Sequence, residues 1–393
     1  MEKIILVDGN NLLFRSYFAT AYNGNLMSNS KGFPTNALFG FANMMNKIIL
    51  EENPTYILVA FDKGKTFRHK EYDGYKDGRE KTPEELKKQF PLAKEMLTYM
   101  GIKYYEIDNY EADDIIGTFA KYCDNDPNFI GTIISSDKDL LQLISDDIEI
   151  KLLKQKEYIR YNQKTFKEEY GIEPINVIDL KALMGDASDN IPGVKGIGEK
   201  TALKLLREYK TLDGIYENID SIKGKVQEKL INDKENAYMS YHLATIIKDV
   251  PMDIDINDLK YKEKQLDKLN SLYEELEFYS FIKKEIKKES EKCDFKIVEN
   301  VSDVDIKPNS AAYLEILGSN YHTAEILGLA IYNGENNLFI PFDILKNIKK
   351  IDNIESTYDY KKMYVALKWK EIEIPNILFD TMIAGYLPDY NIK

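Results

Sequence analysis

An α/β fold built on a mostly parallel sheet is what this sequence predicts, on two observations. Three short apolar runs in the N-terminal third each end in an aspartate: Ile4-Ile5-Leu6-Val7-Asp8, Ile57-Leu58-Val59-Ala60-Phe61-Asp62 and Gly131-Thr132-Ile133-Ile134-Ser135-Ser136-Asp137. Between them apolar residues recur at helical spacing, with Leu38, Phe41, Ala42, Met45 and Ile49 in one stretch and Ile115, Ile116, Phe119 and Ala120 in another. Strands alternating with helices imply a sheet covered on both faces. Ligands of such sheets bind beyond the carboxyl ends of the strands, so Asp8, Asp62 and Asp137 are expected along one edge. One strand-end aspartate alone is more often a turn or helix cap; three together point to a shared site.

With 393 residues, the chain exceeds one ordinary core, and 44% hydrophobic with 30% charged residues is a soluble, globular composition. The opening apolar run is too short for a signal peptide, and no stretch approaches a membrane span. Cys123 and Cys293 lie far apart, and His69, His242 and His322 offer no zinc-ligand spacing, so a reducing, cytoplasmic setting is expected. The net charge of −13 argues against a protein that coats nucleic acid by bulk attraction, but leaves room for a local basic path.

Residues 63–100 change character. Lys63, Lys65, Arg68, His69, Lys70, Lys76, Arg79 and Lys81 are interleaved with Phe67, Tyr72 and Tyr75, and a helix is expected from about Pro83 to Met100 with Leu86, Phe90, Leu97 and Met100 as its apolar stripe. The segment reads either as a solvated loop, since Glu71, Asp73, Asp77 and Glu80 dilute the charge, or as a clamp for single-stranded nucleic acid, in which rings stack on bases and cations hold phosphates. A helix near Ile175–Met184 is then followed by Gly185-Asp186-Ala187-Ser188-Asp189-Asn190-Ile191-Pro192-Gly193-Val194-Lys195-Gly196-Ile197-Gly198, and another runs from Glu199 to about Tyr209. The glycines permit tight turns and the second helix offers unpaired N–H groups to an anion, which suits a phosphate clamp. A dinucleotide fingerprint fits poorly, because the order is G-x-x-G-x-G and a helix precedes it where a strand is needed.

The charge-dense residues 286–296 read as a linker, and strand-like runs at Ala311–Ile316, Leu327–Tyr332 and Leu338–Ile340 open a further unit.

Glu111-Ala112-Asp113-Asp114 begins a helix, with Glu111 and Asp114 on one face at i,i+3 spacing. Together with Asp8, Asp62, Asp137, Asp139, Asp186 and Asp189 these are more carboxylates than caps and salt bridges use. Gathered without cations they would repel one another and several would protonate, and hard, oxygen-binding metals are the natural remedy. Two Mg²⁺ or Mn²⁺ ions suit in-line attack of water on a phosphodiester, and no Ser or Cys motif with a His partner competes.

Asp8-Gly9-Asn10 with Arg15, Phe61-Asp62 with Thr66-Phe67-Arg68, Tyr75-Lys76 with Arg79, Tyr110–Asp114, Ser136–Asp139 and Gly185–Val194 resemble, in order, the flap-endonuclease family as it occurs in the 5′-nuclease domain of bacterial DNA polymerase I. The resemblance covers roughly residues 1–285. It implies a PIN-like 5′-nuclease core with a helical arch over 1–172, a helix-hairpin-helix-type helical subdomain over 173–285, the linker 286–296, and a partial RNase H-like 3′-5′ exonuclease domain over 297–393. It implies that Asp8, Asp62, Glu111, Asp113, Asp114, Asp137, Asp139, Asp186 and Asp189 hold two or more Mg²⁺ or Mn²⁺ ions, directly or through water. Arg68, Tyr75, Lys76 and Arg79 would steer the scissile phosphate. Arg15, Gly193, Val194, Lys195, Gly196, Gly198 and Lys200 would contact DNA, with a potassium ion at the hairpin. The implied substrates are DNA with 5′ flaps, nicks or RNA primers, cut by a monomeric chain that needs no membrane and is normally fused to a polymerase domain. Two departures stand out: the Asp62–Arg68 loop is about one residue shorter than the family's, and Asn10-Asn11 stand where small hydroxyl residues are common.

From about Asp294 the chain resembles inactive members of the proofreading exonuclease domains. Tyr313 stands where the first motif has its Asp before Glu315, Lys362 stands where the second has its Asp, and Asp380 is expected to be structural.

Overall fold

Chain order begins with β1 (Glu2–Asp8), α1 (Gly9–Thr20), α2 (Asn36–Glu52), β2 (Tyr56–Ala60), a short α3 (Phe67–Glu71), α4 (Glu84–Lys87), α5 (Gln89–Tyr99), β3 (Lys103–Tyr105), α6 (Ala112–Asn125) and β4 (Phe129–Ser135). With β5 (Ile148–Leu153) and β6 (Tyr158–Tyr161) the strands form one sheet of order β3-β2-β1-β4-β5-β6, parallel except for β6, which runs antiparallel to β5. This computed structural model describes residues 1–21, 26–154, 158–282, 294–318 and 320–386, and the chain divides into two units, Met1–Lys283 and Lys284–Lys393.

The continuous apolar runs noted in the sequence are explained by burial on both faces. Ile4, Leu6, Leu58 and Ile133 pack with Ile115, Ile116 and Phe119 of α6. Ile5, Val7, Val59 and Ile134 pack on the other face with Leu12 and Leu13 of α1 and Phe41 and Met45 of α2. Period-2 alternation thus sends each strand into two cores at once. The chain fills β1, β2 and β3 to one side and then crosses by α6 to β4 on the other, so the topological switch lies between β1 and β4, where a cleft is expected.

The expected helix 83–100 is divided in two at Lys88. Pro91 accounts for the break, because its ring displaces the carbonyl four residues earlier, that of Lys87, and it has no N–H to donate. Beyond the sheet lie α7 (Gln163–Tyr170), α8 (Val177–Met184), α9 (Glu199–Tyr209), α10 (Leu212–Glu217), α11 (Lys225–Asn232), α12 (Lys234–Ala244) and α13 (Leu266–Glu275). They belong to the same compact unit as the sheet, so the boundary expected at 172/173 separates kinds of structure rather than bodies. Val177, Leu180, Leu205, Leu206 and Ala237 join the core that β1 and α6 begin.

In the second unit, β7 (Phe295–Ile297), β8 (Ser310–Leu317), β9 (Glu325–Tyr332), β10 (Asn337–Pro341), β11 (Ile354–Thr357) and β12 (Phe379–Asp380) form a sheet of order β12-β11-β8-β9-β10-β7, accompanied by α14 (Phe342–Leu345), α15 (Tyr360–Lys368) and α16 (Thr381–Tyr386). Of the expected linker, residues 286–293 lie outside the described residues, and its end is corrected: Phe295 and Lys296 already pair with β10. The side chains of β7 are all exposed, so backbone pairing alone makes it a strand and no apolar run marked it.

The C-terminal turn of α2 is fastened to the sheet by Glu52, whose fully buried carboxylate meets Lys3 of β1 at 2.6 Å, Lys151 of β5 at 2.9 Å and Arg160 of β6 at 2.5 Å. Removing one partner of a buried ionic group strands the others. Glu52→Ala is expected to lower the unfolding free energy by about 3 kcal/mol in a urea titration.

Candidate metal centre

The sharp turn from each strand into the next helix places acids at one sheet edge. Asp8 ends β1 and caps α1, its carboxylate accepting from the Asn11 N–H at 2.9 Å and the Ser135 hydroxyl at 3.0 Å. Asp62, two residues past β2, accepts from the Ala112 N–H at 2.8 Å and the Asn10 amide at 3.1 Å. Glu111 and Asp113 stand at the start of α6, and Asp137 and Asp139 follow β4. Asp189 arrives from the α8–α9 loop. These seven carboxylates line one cleft of about 220 Å³, together with Asn10, Asn11, Phe14, Arg68, Tyr75, Lys76, Arg79, Leu243, Ala244 and Ile246.

The electrostatics show a surplus of negative charge. Burial, then the neighbouring Asp62 and Asp137, push Asp8 up to about 7. Burial and Asp137 likewise push Asp139 up to about 7, against the pull of Lys181. Asp113 is raised well above the usual carboxylate range by burial and by Asp137, Asp8, Glu111 and Asp62. Burial raises Asp62 also, with Lys76 opposing. The cations present are already engaged: Lys76 with Glu111 at 2.6 Å, Arg79 with Asp189, and Lys181 with Asp139 at 2.5 Å and with Asp186. Tyr75 donates to Glu111 or Asp189, both 3.1 Å away, and burial beside those acids raises its pKa, so it remains a donor. Among the described residues no three acidic, imidazole or thiolate groups already converge on one point as a metal-coordinating set. The acids surround a space instead, and Asp139 Oδ1 is buried there without a hydrogen bond of good geometry despite the nearby Lys181. An all-oxygen, under-neutralised donor set of this kind fits hard divalent cations.

Three of the expected roles are corrected. Asp114 does not reach the cleft: its Oδ2 accepts from Arg68 Nη1 at 2.8 Å and the Glu111 N–H at 3.0 Å, and its Oδ1 from Arg68 Nη2 at 2.8 Å and the Ile247 N–H at 2.9 Å. Four donors exhaust a carboxylate, leaving nothing for a metal. Arg68, only 2% exposed, borders the cleft, but its guanidinium is likewise engaged, by Asp114 and the carbonyls of Leu243 and Thr245. Asp186 turns from the cleft to Lys181 and to the Ser188 N–H and hydroxyl, both at 2.7 Å, and these partners outweigh burial and hold it below the usual range.

Arg15 on α1 binds the Lys154 carbonyl and lines no part of the cleft. The hairpin has its tight turns where the glycines are: Gly193 has φ +60°, and a Cβ there would lie 2.2 Å from the Gly185 nitrogen. Its N–H is held by the Ser240 hydroxyl of α12 at 3.0 Å, Val194 is buried, and Gly196 has φ +79°. Lys195, Gly198 and Lys200 are exposed, and Gly198 leaves the first N–H groups of α9 without a side-chain cap. Within 63–81 the two readings divide by residue: Lys63, Lys65, Lys70 and Lys81 are exposed and line no part of the cleft, whereas Arg68, Lys76 and Arg79 border it and turn to its carboxylates or to Asp114.

Sequence reasoning missed Asn10 as a partner of Asp62, Lys181 as a bridge between two acids, and the 243–247 segment that walls the cleft. Lys181 carries a signal in hindsight, five residues before Asp186 on a helix that ends there; the wall segment carries none.

The raised carboxylates fix a pH dependence. Ordinary aspartate has a pKa of about 3.9, so between there and about 7 the folded chain holds more protons than the unfolded one, and stability falls as pH rises through that window. In EDTA, the melting temperature is expected to be higher at about pH 5 than at about pH 8, and Asp113→Asn is expected to raise it at the alkaline end and flatten the difference.

Three family descriptions match the chain: 5′-3′ exonuclease, N-terminal resolvase-like domain, over residues 3–171; 5′-3′ exonuclease, C-terminal SAM fold, over 172–267; and DNA polymerase I, ribonuclease H-like domain, over 312–393. The chain is 41% identical to DNA polymerase I of Bacillus caldotenax, with 99% of this chain and 46% of that protein aligned. Identity to DNA polymerase I of Bacillus subtilis (strain 168) is 40%, over 98% and 46%. It thus spans about half the length of these curated relatives. Among solved structures, T5 5′-exonuclease with bound zinc aligns with a TM-score of 0.51 at 23% identity, covering 70% of this chain and 99% of that one, which shows a shared fold.

Proposed function

Because the chain belongs to the 5′-3′ exonuclease family, we propose that it hydrolyses phosphodiesters of DNA and of RNA primers at 5′ flaps and nicks, as the front part of a DNA polymerase I used in replication and repair. The observation that carries this is the convergence of Asp8, Asp62, Glu111, Asp113, Asp137, Asp139 and Asp189 on one cleft edged by Tyr75, Lys76 and Arg79. Those seven acids are the residues that would hold two or more Mg²⁺ or Mn²⁺ ions. Bound there, such ions supply Lewis-acid stabilisation of the attacking and leaving oxygens of an in-line displacement.

The remaining work falls to the chain itself. Lys76 and Arg79 exchange their carboxylate partners for the non-bridging oxygens of the scissile phosphate, and Tyr75 donates from its protonated hydroxyl. Asn10 and Ser135 keep Asp62 and Asp8 oriented. The hairpin offers duplex phosphates the exposed Lys195 and Lys200 and the uncapped N–H groups of α9. A potassium ion at the hairpin would have to displace Lys229 Nζ, which donates to the Gly196 carbonyl at 2.8 Å.

The RNase H-like unit is proposed to be inactive. Where two acids would hold a metal, Lys362 Nζ lies 4.4 Å over the Tyr313 ring and 3.2 Å from its hydroxyl. Asp380 is consumed by the N–H groups of Asp359, Tyr360 and Met382, which pull its pKa down against burial.

A 5′-labelled flapped duplex with Mg²⁺ should be cut near the junction, with no product in EDTA or from Asp113→Ala; binding without cleavage by the unaltered chain would make it a DNA-gripping arm instead. Lys76→Ala or Arg79→Ala should slow single-turnover cleavage about tenfold or more with little change in affinity. Lys195→Ala with Lys200→Ala should weaken duplex binding and reduce its log–log salt slope by about 2.

A further inference from the structure

Arg68 has five N–H groups, and each faces an acceptor. Nε donates to the Leu243 carbonyl at 2.9 Å, Nη1 to Asp114 at 2.8 Å and Glu111 at 3.5 Å, and Nη2 to Asp114 at 2.8 Å and the Thr245 carbonyl at 2.8 Å. The guanidinium has no donor left for a phosphate. Asp114 returns the grip through the Ile247 N–H. Gln142, only 2% exposed, completes it: Nε2 donates to the carbonyls of Asp139 at 2.9 Å and Ala244 at 3.0 Å, and Oε1 accepts from the Ile246 N–H at 3.0 Å. Every residue from 243 to 247 thus has a backbone group held by one of three side chains. The segment comprises the last two residues of α12 and the irregular residues that follow, and its Leu243, Ala244 and Ile246 line the cleft.

The segment and the α12 residues just before it join other parts of the unit. Leu243 packs with Tyr75 and Ile191, joining the rim to the loop that carries Asp189. Upstream on α12, Ser240 holds the Gly193 N–H of the hairpin, and His242 meets Glu71 of α3 at 2.7 Å.

Resting on the nuclease reading above, we propose that Arg68 is a positioning residue that never touches the substrate: with Asp114 and Gln142 it fixes the 243–247 wall, and through Leu243 it holds Tyr75, Lys76 and Arg79 in register with the hairpin. The expected phenotype is loss of rate rather than of affinity, because a wall displaced by about 1 Å is enough to cost up to a hundredfold in rate. A phosphate-contacting arginine would instead weaken binding and lower the salt slope by about 1.

The test uses the full chain on the flapped duplex with Mg²⁺. Single-turnover rate, dissociation constant and salt slope are measured for Arg68→Lys, Asp114→Asn, their double variant and Gln142→Met. Gln142→Met removes no charge and guards against a misfolded Arg68 variant. On the proposal, Gln142→Met and Arg68→Lys both lose about tenfold or more in rate at unchanged affinity and slope, and the double variant is no slower than Arg68→Lys alone. A drop in salt slope with Arg68→Lys, or a Gln142→Met enzyme of ordinary rate, overturns it. Amide hydrogen exchange supplies a readout independent of cleavage: Ile246 and Ile247 should be protected in the unaltered chain and lose protection in Gln142→Met and Asp114→Asn respectively. Unprotected amides in the unaltered chain would refute the staple even if cleavage is robust, whereas protected amides in a chain that cuts nothing would refute the nuclease reading and leave the staple intact.

Discussion

Repulsion among seven carboxylates in one cleft is the constraint around which the first unit is arranged. Folding brings them together because β1, β2 and β4 are parallel neighbours, so the acids that follow them emerge on one edge. Nothing in the sheet itself compensates them. The helix start at Ala112 contributes partial positive charge beside Glu111 and Asp113, and hydrogen bonds to Asp8 and Asp62 favour their ionised forms, yet Asp8 and Asp139 still rise to about 7. Positive charge has to come from elsewhere in the chain. Lys76 and Arg79 come from the segment after β2, and Lys181 comes from α8. The helical part of this unit is therefore a component of the cleft's charge balance.

Buried ions serve two different purposes here, and Arg68 and Glu52 illustrate the contrast. Glu52 gathers three cations that join one helix end to three strands, and all its partners belong to regular elements. Arg68 and Asp114, besides bonding each other, hold backbone groups of a segment that straddles the end of α12: the carbonyls of Leu243 and Thr245 and the N–H of Ile247. Burying that segment without them would leave carbonyls and N–H groups unpaired at about 1–3 kcal/mol each. A buried ion pair adds little net stability over well-packed apolar residues, but it specifies geometry, and geometry is what a cleft wall requires.

The sheet and the strand-end aspartates were legible because each follows from local pattern: apolar runs four to six residues long, then an acid, then helical spacing. The acids at 111–114 were legible as a group but not one by one. Residues three apart share a helix face only if both lie within the helix, and Glu111 precedes it as the cap, so the Asp114 carboxylate folds back on the Glu111 N–H and meets Arg68 while Glu111 enters the cleft. What could not be read was the partner choice of Arg68, Gln142 and Lys181. Their bonds span separations such as Arg68 to Leu243, and no periodicity encodes a contact between an arginine and a carbonyl so distant in sequence. The break at Lys88 was legible in principle from Pro91, and the strand at Phe295 was not, since it is made by backbone alone.

The two units show how little of a catalytic site a sheet dictates. Both have a central parallel pair, β1 with β2 and β8 with β11, and both have helices following strands. In the first, the strand ends carry acids whose hydrogen bonds are too few to absorb their charge. In the second, Tyr313 within β8 and Lys362 on α15 satisfy each other by cation–π contact and hydrogen bond, and Asp380 is absorbed by backbone N–H groups. A carboxylate saturated in this way behaves as a cap, and one left wanting donors invites a cation. Asp114 and Asp186 follow the same pattern inside the first unit: the resemblance counts them among the metal ligands, but Asp114 is occupied by four donors and Asp186 is held by Lys181 and Ser188, and neither lines the cleft. What separates the acids is therefore where the fold aims each carboxylate as well as the donors within its reach, since Glu111 lines the cleft while accepting from Lys76, Tyr75 and Arg68.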